Sequence, residues 1–245
     1  MAKNKTAYVC SECGADFTRW QGQCSECKEW NTITEVRLGV TTPGKSARYT
    51  GYAGAVGSQV QTLAEIATTE IPRFSSGFKE LDRVLGGGVV PGSAILIGGN
   101  PGAGKSTLLL QTMCGLAQRM KALYVTGEES LQQVAMRAGR LGLPTDKLRM
   151  LSETSVEQIC LIAQQEQPQI MVIDSIQVMH VADVQSAPGS VSQVRESAAL
   201  LTRYAKQNHV AIFMVGHVTK DGTLAGPKVL EHCIDCSVLL DGGHD

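Results

Sequence analysis

Two stretches of this chain have residue types and spacings that do chemistry. The first, Gly99-Asn100-Pro101-Gly102-Ala103-Gly104-Lys105-Ser106-Thr107, contains the pattern Gly-x-x-x-x-Gly-Lys-Ser. In such a loop the glycines let successive backbone N–H groups turn inward around phosphate oxygens, and the N-terminus of the following helix adds partial positive charge. Lys105 then reaches the β- and γ-phosphates, and the Ser106 hydroxyl holds Mg²⁺. The second stretch is Cys10-x-x-Cys13 followed, ten residues later, by Cys24-x-x-Cys27. Each pair makes a tight knuckle that presents two thiolates, and four thiolates in a tetrahedron suit Zn²⁺ in a closed structural site. A rubredoxin-type iron site uses the same ligands, and two disulfides are the remaining alternative.

The phosphate-binding reading requires a strand before the loop and a helix after it. Ala94-Ile95-Leu96-Ile97 supplies the strand, and Leu108-Leu109-Leu110-Gln111 lies in a predicted helix from Ser106 to Arg119. Upstream, Phe78, Leu81, Val84 and Leu85 recur at helical spacing until Gly86-Gly87-Gly88 stops the pattern. Downstream, strands are predicted at Ala122–Thr126, Leu148–Leu151, Ile170–Asp174, Val210–Val215 and Val238–Leu240. Helices at Leu131–Leu141, Val156–Gln165 and 190–208 fall between them. This alternation predicts an α/β fold, a mostly parallel sheet with helices on both faces.

In such sheets ligands bind outside the carboxyl ends of the strands. Four strand ends bring polar groups there: the phosphate loop, Glu128 and Glu129, Asp174, and His217. Ile170-Met171-Val172-Ile173-Asp174 has the Walker B form, a buried strand carrying a carboxylate toward Mg²⁺. Glu128 or Glu129 is placed to activate an attacking water, or else to favour the next helix's N-terminus. His217 can donate to the γ-phosphate, or simply cap its strand.

Residues 1–36 are too few for a hydrophobic core, so metal is expected to provide most of that module's folding free energy. Trp20 and Trp30 are expected to pack over the metal, with base stacking as the weaker reading. Residues 37–62 are rich in glycine, serine and threonine and read as a flexible linker, leaving 63–245 as the nucleotide-binding domain. A net charge of −1 gives no field that steers the whole protein to nucleic acid, so any such contact uses local patches. The polar start Met1-Ala2-Lys3-Asn4-Lys5, and the lack of an apolar run of about 20 residues, make a cytoplasmic location the expectation and give no sign of a membrane. Cys233-x-x-Cys236 has no partner pair and is expected to be packed structure, as are Cys114 and Cys160, while Arg137 and Arg140 are expected on a solvated helix face.

The four-cysteine motif, Leu81-Asp82-Arg83-Val84-Leu85-Gly86-Gly87-Gly88, the phosphate loop, Val125-Thr126-Gly127-Glu128-Glu129-Ser130, the Walker B strand and Asp221-Gly222-Thr223-Leu224-Ala225-Gly226-Pro227-Lys228 together resemble the RecA-type ATPases. Within them the chain is most similar to the RadA (Sms) family of bacterial DNA repair proteins. The resemblance implies a RecA-like ATPase core, ATP as the nucleotide, and DNA-stimulated hydrolysis. It also implies ring assembly, as a hexamer in the full-length family, binding of single-stranded and branched DNA, and branch migration of recombination intermediates with the RecA recombinase. Ungapped counting from Lys105 favours Glu129 as the catalytic glutamate, and related ATPases with paired glutamates leave Glu128 open. His217 would couple the γ-phosphate to a DNA loop over Val218–Lys228, with Lys220 and Lys228 as backbone contacts. A second, mobile DNA loop would lie within Gln177–Val194. Family members continue into a Lys-Asn-Arg-Phe-Gly motif and a Lon-like domain that this sequence lacks, so it is expected to be an N-terminal portion. For such a portion the alternative function is an ATP-switched DNA- or RecA-binding scaffold without motor activity.

Overall fold

The computed structural model describes residues 5–38, 60–66, 72–217, 230 and 232–241. The first unit is a three-stranded antiparallel sheet of β1 (Lys5–Cys10), β2 (Asp16–Phe17) and β3 (Ile33–Leu38), in the order β2-β1-β3. Among the described side chains its buried centre is Cys10, Cys24 and Ile33, with Tyr8, Ala15, Phe17 and Cys27 against them. Both knuckles close alike. The Gly14 N–H donates to the Cys10 carbonyl and the Lys28 N–H to the Cys24 carbonyl, and Gly14 and Lys28 each take positive φ (77° and 64°).

The four sulfurs lie within 4.8 Å of one another, with Cys10 to Cys27 and Cys13 to Cys24 both at 3.6 Å. These are not disulfides, since all four cysteines are free. A tetrahedral zinc with Zn–S of about 2.3 Å sets its sulfurs about 3.8 Å apart, so the arrangement fits that ion. Burial raises the Cys10 thiol, but hydrogen bonding with the Thr32 side chain and the Cys13 and Glu12 backbones outweighs it and brings the pKa to about 6. Cys13 moves the other way, pushed up by burial. Thiols this close cannot all ionise without a cation between them.

The tryptophans do not pack over these sulfurs as expected. Trp20 is 60% exposed and Trp30 66%, and the two rings flank Gly22 on the surface. The cause is the knuckle geometry: the cysteines themselves fill the small interior, and Trp20 is tied outward by its Nε1–H donating to the Ile33 carbonyl at 3.2 Å.

The second unit contains α1 (Lys79–Val84), β4 (Ala94–Gly99), α2 (Lys105–Leu116), β5 (Ala122–Thr126), α3 (Leu131–Arg140), β6 (Arg149–Ser152), α4 (Val156–Glu166), β7 (Ile170–Asp174), α5 (Val191–Asn208), β8 (Ala211–His217) and β9 (Cys236–Leu240). Its sheet has the order β6-β5-β7-β8-β4-β9, and every pairing is parallel. Residues of β4, β5 and β7 are buried throughout, as strands covered on both faces must be. Alternate residues feed two cores. Ile95, Ile97, Tyr124, Val172 and Phe213 meet Leu109, Leu110 and Met113 of α2 and Val134 and Ala138 of α3. Leu96, Val125, Met171, Ile173 and Met214 meet Val156 and Ile159 of α4 and Val194, Ala198 and Leu201 of α5. Among the described residues, no helix is long and apolar enough to cross a membrane.

Cys114 and Cys233 are buried and Cys236 packs against the core beside β4, in line with structural roles. The segment after Asp174, expected as a mobile loop, is tied to α5. The Gln193 amide bonds Val181 through both its N–H and carbonyl, and also the carbonyls of Val184 and Ser186.

Both tryptophans of the chain lie in the first unit, so their fluorescence reports on it alone. Freshly purified protein should carry about one zinc per chain by elemental analysis. Cys24→Ser should lose the metal and lower the tryptophan fluorescence anisotropy, because the metal supplies most of the folding free energy. Metal-free protein with unchanged anisotropy, or iron in place of zinc, would contradict this.

Candidate active site

Strand register sets the polar groups in two neighbouring rows. Thr126 of β5 is opposite Asp174 of β7, Asp174 is opposite Val215 of β8, and Gly99 of β4 is opposite His217, two residues further along β8. Each expected residue at this carboxyl edge is held in a definite way.

The phosphate loop leaves β4 at Gly99, whose backbone runs against β9. A Cβ at Gly99 would stand 2.6 Å from the Leu240 carbonyl oxygen, so only glycine fits. Asn100, Pro101, Gly102 and Gly104 are exposed, while Ala103, Ser106 and Thr107 are half-buried. Gly104 begins α2 in the left-handed region with no side-chain cap, which leaves the first-turn N–H groups of α2 open to an anion. Lys105 is 4% exposed, and its ammonium donates to the carbonyls of Gly99 (2.7 Å) and Asn100 (2.8 Å). Burial lowers its pKa, and the nearby carboxylates of Asp174 and Glu128 oppose that shift.

Asp174 is 2% exposed. Tyr124 donates to its Oδ2 at 2.6 Å, while Oδ1 has no hydrogen-bond partner among the described residues. Burial raises the pKa of Asp174, against which the hydroxyls of Tyr124 and Ser106 act. A buried carboxylate with one open oxygen, beside a serine hydroxyl and a lysine, fits a hard divalent cation. Mg²⁺ bound there would be held by Ser106 and Asp174.

The paired glutamates part. Glu128 accepts a hydrogen bond from Ser175 Oγ, and His217 Nε2 lies 3.0 and 3.1 Å from its two carboxylate oxygens. The His217 contact is the first cause of its lowered pKa, opposed by burial and aided by Ser175. Glu129 instead meets Arg137 of α3 in a two-pronged pair, with Nη1–Oε2 at 2.8 Å and Nη2–Oε1 at 3.0 Å. Arg137 is thus not on a solvated face. Neither glutamate caps α3, because Ser130 does so, accepting from the Gln133 N–H at 3.2 Å while Gln133 accepts from the Ser130 N–H.

Gly127 makes the approach of Glu128 to Ser175 possible. A Cβ there would lie 2.7 Å from Val178 Cγ2 and 3.1 Å from Met179 Cε. Tyr124, Ser175 and Arg137 are participants that the sequence pattern did not disclose. Tyr124 reads as one more apolar strand residue, and only the Asp174-Ser175 step hinted at a second polar group at the β7 tip. Lys220 and Lys228 lie outside the described residues.

Residues 60–223 match the family model described as an AAA domain, and residues 8–35 match a rubredoxin metal binding domain. The chain is 76% identical over 243 residues to the DNA repair protein RadA of Escherichia coli, covering 98% of this chain and 53% of that protein. It is 75% identical over 241 residues to the Haemophilus influenzae protein of the same name, at 98% and 53% coverage. With the Bacillus subtilis RadA it shares 44% identity over 243 residues, at 99% and 53% coverage. The chain therefore spans about half the length of the curated relatives it matches. A zinc-ribbon module and an α/β domain with a phosphate loop are similar over nearly the whole chain to proteins named DNA repair protein RadA, and the chain belongs to the AAA-domain family.

Proposed function

We propose that this chain binds and hydrolyses ATP with Mg²⁺, and that hydrolysis drives work on DNA during recombinational repair. The observation that carries the reading is the convergence of Lys105, Asp174, Glu128 and His217 on the edge where the phosphate loop opens. Glu128 is assigned as the group that orients and deprotonates the attacking water. It stands between Ser175 and His217 at the strand tip, whereas the Glu129 carboxylate is taken up by Arg137. Mg²⁺, when bound, would neutralise charge on the β- and γ-phosphate oxygens. Lys105 would bind those same oxygens. His217, at the end of β8, would exchange its contact with Glu128 for the γ-phosphate and pass the change to the residues that follow.

Single-stranded and branched DNA as substrates, cooperation with RecA and assembly into a ring, which the sequence resemblance implies, are included in this proposal. So are the backbone contacts of Lys220 and Lys228 and the division into a zinc module (1–36), a linker (37–62) and an ATPase domain (63–245). The overall test is the ATP hydrolysis rate with and without single-stranded DNA. The rate should rise with DNA, and no response to any DNA with Lys105 intact would contradict the DNA role.

Glu128→Gln should cut the hydrolysis rate by roughly 100-fold or more while ATP binding persists, as expected for loss of a general base. Glu129→Gln should cost much less in rate and should lower thermal stability, since it leaves the Arg137 guanidinium without its carboxylate. The reverse order of rates would reassign the base to Glu129. Replacing His217 by Ala removes the main interaction that lowers the Glu128 pKa. That pKa should rise in the free enzyme, so the acidic limb of the kcat/KM profile should move to higher pH; an unmoved limb would argue against the contact.

A further inference from the structure

Tyr124 is fully buried in the apolar layer between the sheet, α2 and α3. Nothing in a packing role requires its hydroxyl there, and a buried hydroxyl without a partner is costly. Its partner is specific: the phenol donates to Asp174 Oδ2 at 2.6 Å, reaching along β7 from a position opposite Val172. One carboxylate oxygen is thereby fixed, and Oδ1 is left as the oxygen without a partner among the described residues. The terminal torsion of an aspartate is otherwise broad and roughly two-fold.

We infer that Tyr124 is a positioning residue for the nucleotide's divalent cation, locking Asp174 through Oδ2 so that Oδ1 stays free for Mg²⁺. The inference rests on the proposed phosphate site and goes beyond it in assigning a role to a residue outside the loop and both strand-tip motifs. Tyr124 acts through Asp174 and touches neither nucleotide nor metal.

The test is Tyr124→Phe, which keeps the ring and deletes the hydroxyl. A fluorescent ATP analogue is bound at a fixed concentration and Mg²⁺ is titrated, with a parallel binding curve in EDTA. The Mg²⁺ concentration for half-saturation should rise roughly tenfold or more, the range for losing a partner that orients a metal ligand. Affinity in EDTA should be unchanged, and in an Asp174→Asn background the Tyr124→Phe effect should vanish. A folded Tyr124→Phe protein with wild-type Mg²⁺ dependence would overturn the inference. If the variant does not fold, the unmodified protein carrying ¹³Cζ-tyrosine gives a second readout. The Tyr124 signal should shift when Mg²⁺ is added to the nucleotide complex but not when nucleotide is added in EDTA, and a signal indifferent to Mg²⁺ would overturn the inference. A wild-type protein that binds the analogue equally with and without Mg²⁺ would remove the underlying site reading, an outcome separate from failure of the Tyr124 role.

Discussion

A parallel sheet buried on both faces has few places to put a polar side chain, and the carboxyl edge is the principal one. β4, β5, β7 and β8 are packed between two apolar layers, so the chain changes character as each strand ends. Gly99, Gly127, Asp174 and His217 mark those ends, and the parallel register sets them along one edge within two residues of one another. Close packing then fixes them further. Gly99 admits the backbone of β9, and Gly127 admits the side chains of Val178 and Met179, so the loop and Glu128 start from positions with little freedom.

Charge is managed within this edge as carefully as volume. Lys105 and Asp174 are both nearly fully buried, and Asp174 moderates the burial cost of Lys105. Neither is closed off by a direct pair: Lys105 rests on two carbonyls of its own loop, and Asp174 rests on a tyrosine. Glu128 and Glu129, adjacent in sequence, face opposite demands, one held by Ser175 and His217 and the other by Arg137. This separation gives two carboxylates at one strand tip distinct environments, the usual way in which paired acids come to differ in role.

Much of this was legible in the residues. The strand before the loop, the helix after it, the Walker B strand and the two cysteine pairs all announce themselves through strong local patterns, and their elements formed within a few residues of the expected bounds. What stayed hidden depends on contacts between elements. Tyr124 looks like any apolar strand residue until β7 is placed beside β5. Arg137 looks solvated until the turn after β5 brings Glu129 to it. Trp20 and Trp30 look like core residues until the cysteines are seen to occupy the module's small interior. Helical and strand periodicity carry no record of such pairings, because each is fixed by chain segments far apart in sequence.

The most direct measurement is a structure of the chain with a non-hydrolysable ATP analogue and Mg²⁺. The β- and γ-phosphates are expected within Gly99–Ser106, with Lys105 Nζ on their oxygens in place of the Gly99 and Asn100 carbonyls, and with Glu128 facing the γ-phosphate. A nucleotide seated away from this loop, or a complex in which Glu129 and not Glu128 is turned to the γ-phosphate, would contradict the proposed site.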